Sequence, residues 1–492
     1  MTDTTAAGLA QEAFEAFLCS RLEPRWLTDL RRNSWKAFQD LPWPQDQPPG
    51  PQQEEWRRTD IRRFRLDKFP LPNHAGGTPT LQTDAGKMPT LQADTALVPP
   101  TAANMPSPDH GYMVPAPGFR HATPLSASCS LLPQPLLTAG VDLAGHVSAV
   151  DSCPYQSRLD ADLAAQGVLL GSLDELVRQH GGLIERYLFT RAIDPLYDKF
   201  SALHAACWSG GMILYVPKGV RIERPLHMFS ALSAGQSDFG HALIVLEEGA
   251  EATVLAETAS SDPTAAGLHC GAVEILVGPG ARLRYVNLQN WGGGVWHFAH
   301  QKALVGRDAS LQWTIGALGS RLAKVNQHVA LVGEGAHAQV NGVMFTDGTQ
   351  HLSYHTHQHH EAPHCTSDLL YKGALQGDSR IVWRGMIKVD RDAQKTDGYQ
   401  RNDNLILSES ARADSIPGLE IEADDVKCSH GATAGRVDDE QVFYAQARGL
   451  TRKEAIRMIV AGFFQQVFDR VTVQSVREAL GTAIGRRVRE YE

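Results

Sequence analysis

The chain has 492 residues, 42% of them hydrophobic, which is enough for two or three domains each with its own core. Its formal charge is -9 with no long lysine or arginine run, so a dedicated nucleic-acid binder is disfavoured and the expected partners are proteins or small molecules. The seven scattered cysteines contain no CxxC and suggest neither a disulfide framework nor a zinc ribbon, so a reducing, cytoplasmic setting fits.

The first 20 residues carry Glu12 and Glu15 and lack a basic start followed by an apolar core. No run of 18 apolar residues occurs anywhere, so neither a standard export signal nor a membrane span is expected. From Leu9 to Phe38 apolar residues recur at helical spacing (Phe14, Phe17, Leu22, Trp26, Leu30, Trp35) until Pro42, and 1–70 reads as an N-terminal helical region. Over 71–150 the composition turns to Pro, Gly, Thr and Ala, with the near-duplicates "PTLQTDAGKM" and "PTLQADTALV", as in a linker or loosely held lobe. Residues 151–199 mix charged and apolar residues at spacings of three and four and read as a helical segment leading into the core.

The middle supplies the fold. "YVPKGVRIERPLHMF", "VLEEGAEATVLAE", "LVGPGARLRYVNL", "LVGRDASLQWTIG", "LVGEGAHAQVNGV" and "ALQGDSRIVWRGM" each give an apolar pair, a small or acidic turn, then alternating side chains. The turns at Gly219, Gly249, Gly280, Asp308, Gly335 and Asp378 mostly recur every 27 to 31 residues, the spacing of a repeat fold. One strand–turn–strand unit cannot bury its apolar face alone, and stacking on its neighbours solves this. We therefore read 200–435 as a parallel β-helix core; a sandwich or jelly roll gives similar strand density but does not require one turn to recur at one rung length. The predicted class is mainly β with flanking α.

Residues 436–492 read as a C-terminal helical region. "VDDEQVFYAQARGL" ends at Gly449, and Thr451 with Glu454 forms a capping box for the next helix. On that helix Ile456, Ile459, Val460, Phe463, Phe464, Val467 and Phe468 make an apolar stripe that packs on the chain's own β-helix or docks a partner; Ile459, Phe463, Phe464 and Val467 are the partner-binding candidates.

Two constellations carry chemistry. In "DDVKCSHGATAG" Cys428 and His430 stand two apart, so on a strand they share a face; they are either soft-metal donors or a thiol and an imidazole in a packed core. "HLSYHTHQHHEAPHC" holds His351, His355, His357, His359, His360, His364 and Cys365; His355, His357 and His359 share a face as a divalent-metal candidate or as a stacked imidazole ladder. "GPG" and "GEG" are turn chemistry, and no GxxxxGK[ST] occurs, so the chain is not expected to hydrolyse ATP.

"LHAACWSGGMILYVPKGVRIERPLH" (203–227), "EEWRRTD" (54–60) and "KTDGYQRNDNLILSESARADSIPGLEIEADDVKCSHGATAGRVDDEQVFYAQARGL" (395–450) resemble the SufB/SufD family of the SUF iron–sulfur cluster assembly machinery, in its SufD form. The resemblance implies a right-handed parallel β-helix between helical regions, pairing with a SufB-like paralogue through β-helix ends and with a SufC-like ABC-type ATPase through the C-terminal helices. It implies a non-catalytic scaffold whose cargo is iron or a transient iron–sulfur cluster at the partner interface, in complexes that admit a reduced flavin. SufB-type chains carry a cysteine and a glutamate where this chain has Asn402 and Gly431, and the "CSHGAT" form points to SufD. The family's important histidine maps onto His430, with Cys428 beside it. Two other classes stay open: a stand-alone metal-binding β-helix protein using the His-rich strand 351–365, and a polysaccharide-active β-helix enzyme, which needs paired acids along a groove and usually a secretory signal.

Overall fold

A computed structural model describes residues 11–71 and 133–488. Most of the expected linker, 71–150, including both near-duplicates, lies outside the described residues; its last part forms strand Gly145–Val150.

Two ten-stranded sheets face each other, and the chain alternates between them. Arg282–Asn290, Ser310–Ala317, His337–Thr346, Thr366–Leu375, Asp397–Ile406 and Lys427–Arg436 stack in the first sheet. Ala266–Val277, Gly294–Val305, Leu322–Leu331, His351–His360, Arg380–Val389 and Arg412–Ile421 stack in the second. Each strand pairs in parallel with the strand two further along, as Tyr285 does with Trp313 and Trp313 with Val340. This is the predicted parallel β-helix. Antiparallel pairs occur where Gly145–Val150 meets Cys153–Leu159 and where Leu169–Ser172 meets Met212–Val216.

The corner from the second sheet to the first needs one left-handed residue per rung. It is Gly219, Gly249, Gly280, Asp308 and Gly335 at φ 55–73°, then His364 at 60° and Lys395 at 63°. Glycine takes this conformation freely, and the three other side chains accept strain that the rungs around them impose. Asp378 belongs to the opposite corner, beside Gly377 (φ 67°) and in step with Gly348 (φ 59°), so the sixth turn of the sequence ladder is corrected to His364. The helical reading of 151–199 is also corrected. Strands Cys153–Leu159 and Leu169–Ser172 bracket the short helix Ala161–Ala165, and Gly167 (φ 84°) ends its periodicity before Leu173–Gln179 begins.

Alternate strand residues fill the interior, where Tyr285, Trp313, Leu352, Leu369, Tyr371 and Trp383 are buried in one continuous core. The outer face of the second sheet is covered by Gln11–Cys19, Arg25–Asp40 and Lys199–Cys207, through stacked rings such as Phe14 on Trp35 (4.4 Å) and Phe200 on Phe298 (3.9 Å). The outer face of the first sheet is covered by Asp439–Ala447, Arg452–Phe468 and Gln474–Arg487, packed on Leu288, Val343, Phe345 and Leu370. The expected capping box is present: the Glu454 amide donates to Thr451 Oγ1 (3.2 Å) and the Thr451 amide to Glu454 Oε2 (2.8 Å). Among the described residues no helix is long and apolar enough to cross a membrane.

Glu257, buried on the outer side of the first sheet, accepts from the Leu136 and Leu137 amides at 2.7–3.0 Å. Burial pushes its carboxyl up to about 7 against those hydrogen bonds. A raised carboxyl favours folding while it stays protonated, and the unfolded chain gains from ionisation as pH climbs from about 4.5 to about 7. Glu257→Gln therefore gains melting temperature relative to wild type as pH rises from 5 to 8; a difference that does not change with pH contradicts this.

Candidate functional site

The β-helix ends openly. Among the described residues Lys427–Arg436 pairs only with Asp397–Ile406, and Arg412–Ile421 only with Arg380–Val389, so both last strands keep an unpaired edge there. Register decides which of their side chains face inward. Gly398, Gln400, Asn402 and Asn404 are buried, and Cys428 stands over Gly398, His430 over Gln400. Cys428 and His430 therefore share the inward face, as their spacing predicted. With no rung above, His430 is exposed and Cys428 is half-buried against Ile387, Val389, Ala393, Ala423 and Val426. Burial raises the Cys428 thiol above its ordinary range, so loss of its proton needs a cation or an opposing charge.

Beneath them the interior turns polar. Gln358 Nε2 donates to Ser367 Oγ (2.7 Å), and that oxygen lies 2.8 Å from His360 Nε2. Gln400 Nε2 donates to the Gly418 carbonyl (3.0 Å). Asn404 Nδ2 donates to Asn402 Oδ1 (2.7 Å) and Ser415 Oγ (3.0 Å). Asn402 is thus an amide locked in a hydrogen-bonded network. Burial lowers the His360 imidazole to about 4, so it is neutral at ordinary pH.

The His-rich strand divides by parity. Leu352, Tyr354, Thr356, Gln358 and His360 are buried on its inner side, while His351, His355, His357 and His359 face the other way. His357 stacks on His359 at 5.5 Å and 6° and on His328 at 4.4 Å and 19°, the imidazole ladder. His355 instead lies in register with Asn326 and Arg384. Among the described residues no group of three or more His, Cys, Asp or Glu is arranged to hold a metal ion. The sequence reading chose His355, His357 and His359 and passed over His360, the one that reaches the interior below Cys428; its shared parity with Leu352 and Tyr354 was the available signal.

The apolar stripe of Arg452–Phe468 is resolved in the same way. Phe464 and Val467 are fully buried against the chain's own strands, so their partner-binding assignment is corrected: a residue with no accessible surface cannot dock anything. Ile459 and Phe463 are half-buried, with the Lys372 ammonium 4.7 Å from the Phe463 ring centroid. On the described C-terminal helices the large apolar side chains left in the open are Phe443 (72% exposed) and Tyr444 (62%) on Asp439–Ala447, together with Met458. The sequence did not single them out, because an exposed aromatic on a short helix has no periodic signature.

Residues 229–463 match the family described as SUF system FeS cluster assembly, SufBD core domain, and residues 145–228 match the SufBD protein N-terminal region. The chain is 30% identical over 324 residues to an iron-sulfur cluster assembly SufBD family protein of Staphylococcus saprophyticus, covering 66% of this chain and 70% of that one. A Staphylococcus haemolyticus protein of the same description is also 30% identical, and one from Staphylococcus epidermidis is 29% identical, over the same shares.

Proposed function

Because the chain belongs to the SufBD family of iron–sulfur cluster assembly proteins, we propose that it is a SufD-type, non-catalytic scaffold subunit that pairs with a SufB-like paralogue and carries a SufC-like ATPase. The observation that carries this reading is the open end of the β-helix, where the last strand of the first sheet, with one edge unpaired, holds Cys428 and His430 on its inward face. An unpaired edge takes another strand, so a paralogue's last rung continues the sheets and covers Leu419 and Ile421, large apolar residues exposed at this end. Thiolate and imidazole donors suit iron or a nascent cluster as cargo, and a set completed by the partner stays open enough to release it, where four ligands from one chain would retain it. The ATPase docks on the outward side of Asp439–Ala447 and Arg452–Phe468, through Phe443, Tyr444, Met458 and the half-buried Ile459 and Phe463.

Co-purification of the chain with paralogue and ATPase tests both contacts. Leu419→Asp with Ile421→Asp is expected to lose the paralogue and keep the ATPase; Phe443→Asp with Tyr444→Asp is expected to do the reverse. Elution of both variants as intact three-component complexes refutes the assignment.

A further inference from the structure

We propose that the cavity inside the first rungs of the β-helix binds a short aliphatic amine, held as the ammonium ion at Asp238 and polar at its far end. The space measures about 80 Å3, room for about five to eight water-sized groups, and lies between the inner faces of the two sheets. Tyr285 and Asn287 of Arg282–Asn290 line one side, and His297 and Gln301 of Gly294–Val305 line the other. Met228, Ala256, Val273 and Ala299 make the wall between them apolar. Met212 lines both this cavity and a pocket formed by Ser148, Tyr155, Ser172 and Gly211, so a turn of its flexible side chain joins the two.

Polar groups in the wall lack partners. Gln301 Oε1 is buried without a hydrogen bond, and the polar ends of Tyr285, Asn287 and Tyr354, all less than a tenth exposed, make none among the described residues. Buried polar atoms are normally paired, so this many orphans around one space point to an occupant. The row Asp238, His269 and His297 says of what kind. Asp238 accepts from Ser152 Oγ (2.9 Å) and Ser230 Oγ (3.0 Å), and its Oδ2 stands 3.6 Å from His269 Nε2. The Nδ1 atoms of His269 and His297 are 2.7 Å apart, and burial lowers both imidazoles, so both are neutral and one donates to the other. The nearby carboxylate keeps the His269 proton on Nε2, so His297 donates from Nδ1 and is left with a bare lone pair on Nε2.

The carboxylate, that lone pair and Gln301 Oε1 are all acceptors. Among the described residues no lysine or arginine lines the cavity, and Glu257, the other acid on its wall, is turned to the Leu136 and Leu137 amides. Asp238 is therefore a buried carboxylate without a cation, which an ammonium group supplies together with three N–H donors. An anion meets no positive charge here, and a wholly apolar molecule leaves the acceptors unpaired. The apolar wall takes methylene groups, and Tyr285, Asn287 and Gln301 take a hydroxyl or second amine at the far end.

The test titrates propanolamine into the isolated full-length chain by calorimetry, with trimethylene glycol, the same length without the charge, as control. Wild type is expected to bind the amine at least tenfold more tightly than the glycol and to gain melting temperature with the amine alone. Tyr285→Phe removes one hydroxyl from the wall and is expected to weaken binding severalfold, with the free chain melting close to wild type. Ala299→Leu fills the space and is expected to abolish binding, with the free chain melting no lower than wild type. Asp238→Asn is expected to lose the preference for the amine over the glycol. Equal affinities of wild type for the two probes overturn the assignment of an amine. No saturable binding of the amine, or binding that Ala299→Leu and Tyr285→Phe both leave unchanged, overturns the site and leaves a cavity filled with water only.

Discussion

Phe464→Ala is expected to destabilise the chain by about 3–5 kcal/mol, the range for truncating a fully buried aromatic ring. The ring is wholly enclosed, sits 5.2 Å from Phe463 and 6.1 Å from Phe468, and belongs to the cluster joining Arg452–Phe468 to Leu288, Phe345 and Leu370 of the first sheet. Its removal leaves a cavity that the stacked strands cannot collapse to fill, because each is fixed by neighbours on both sides. By contrast, Phe443→Asp touches an exposed ring and should shift stability by no more than about 0.5 kcal/mol. Urea unfolding midpoints of the two variants distinguish packing from docking. A wild-type midpoint for Phe464→Ala with loss of the ATPase would restore that residue to the docking surface.

Acid should unfold the protein well before its carboxylates are all protonated. Burial lowers His227 to about 3 and His351, His357 and His360 to about 4. All four are depressed bases, so the folded state excludes protons that the unfolded chain takes up below about 6.5. Their contribution is fully present above that pH and is lost as pH falls toward 4. At full protonation each of these depressions corresponds to about 3–5 kcal/mol, so several such groups outweigh the opposite slope of Glu257. Melting temperatures across pH 4–8 are expected to fall steeply below about pH 6, and less steeply in His357→Gln. A flat profile down to pH 4 contradicts the neutral, buried imidazoles.

Much of the architecture was legible because one physical requirement, a left-handed corner residue per rung, is usually met by glycine and so leaves a periodic mark. The mark fades where His364 and Lys395 meet it, since rung stacking there holds residues with no turn signature. Parity was the harder problem. The strand His351–His360 has polar residues on both sides, and its inward side is fixed by register with Leu322–Leu331 and Arg380–Val389, which local composition does not encode. The relation of Cys428 to His430 could be read from their spacing, whereas that of Cys428 to His360 is made by stacking across rungs and by an absent side chain at Gly398. The stripe of Arg452–Phe468 was read correctly as apolar, but which of its residues face the chain's own sheet is a tertiary fact.

Iron and acid-labile sulfide per complex, measured for wild type and His430→Ala after assembly with the SufB-like paralogue and the SufC-like ATPase, test the central claim most directly. His430 is exposed on the terminal strand, so truncation leaves no core cavity. The expected result is an unchanged complex stoichiometry and melting temperature with a clear fall in iron and sulfide, and a smaller fall for Cys428→Ser. Normal iron and sulfide in His430→Ala, or a fall in step with lost stability and complex yield, would contradict the account.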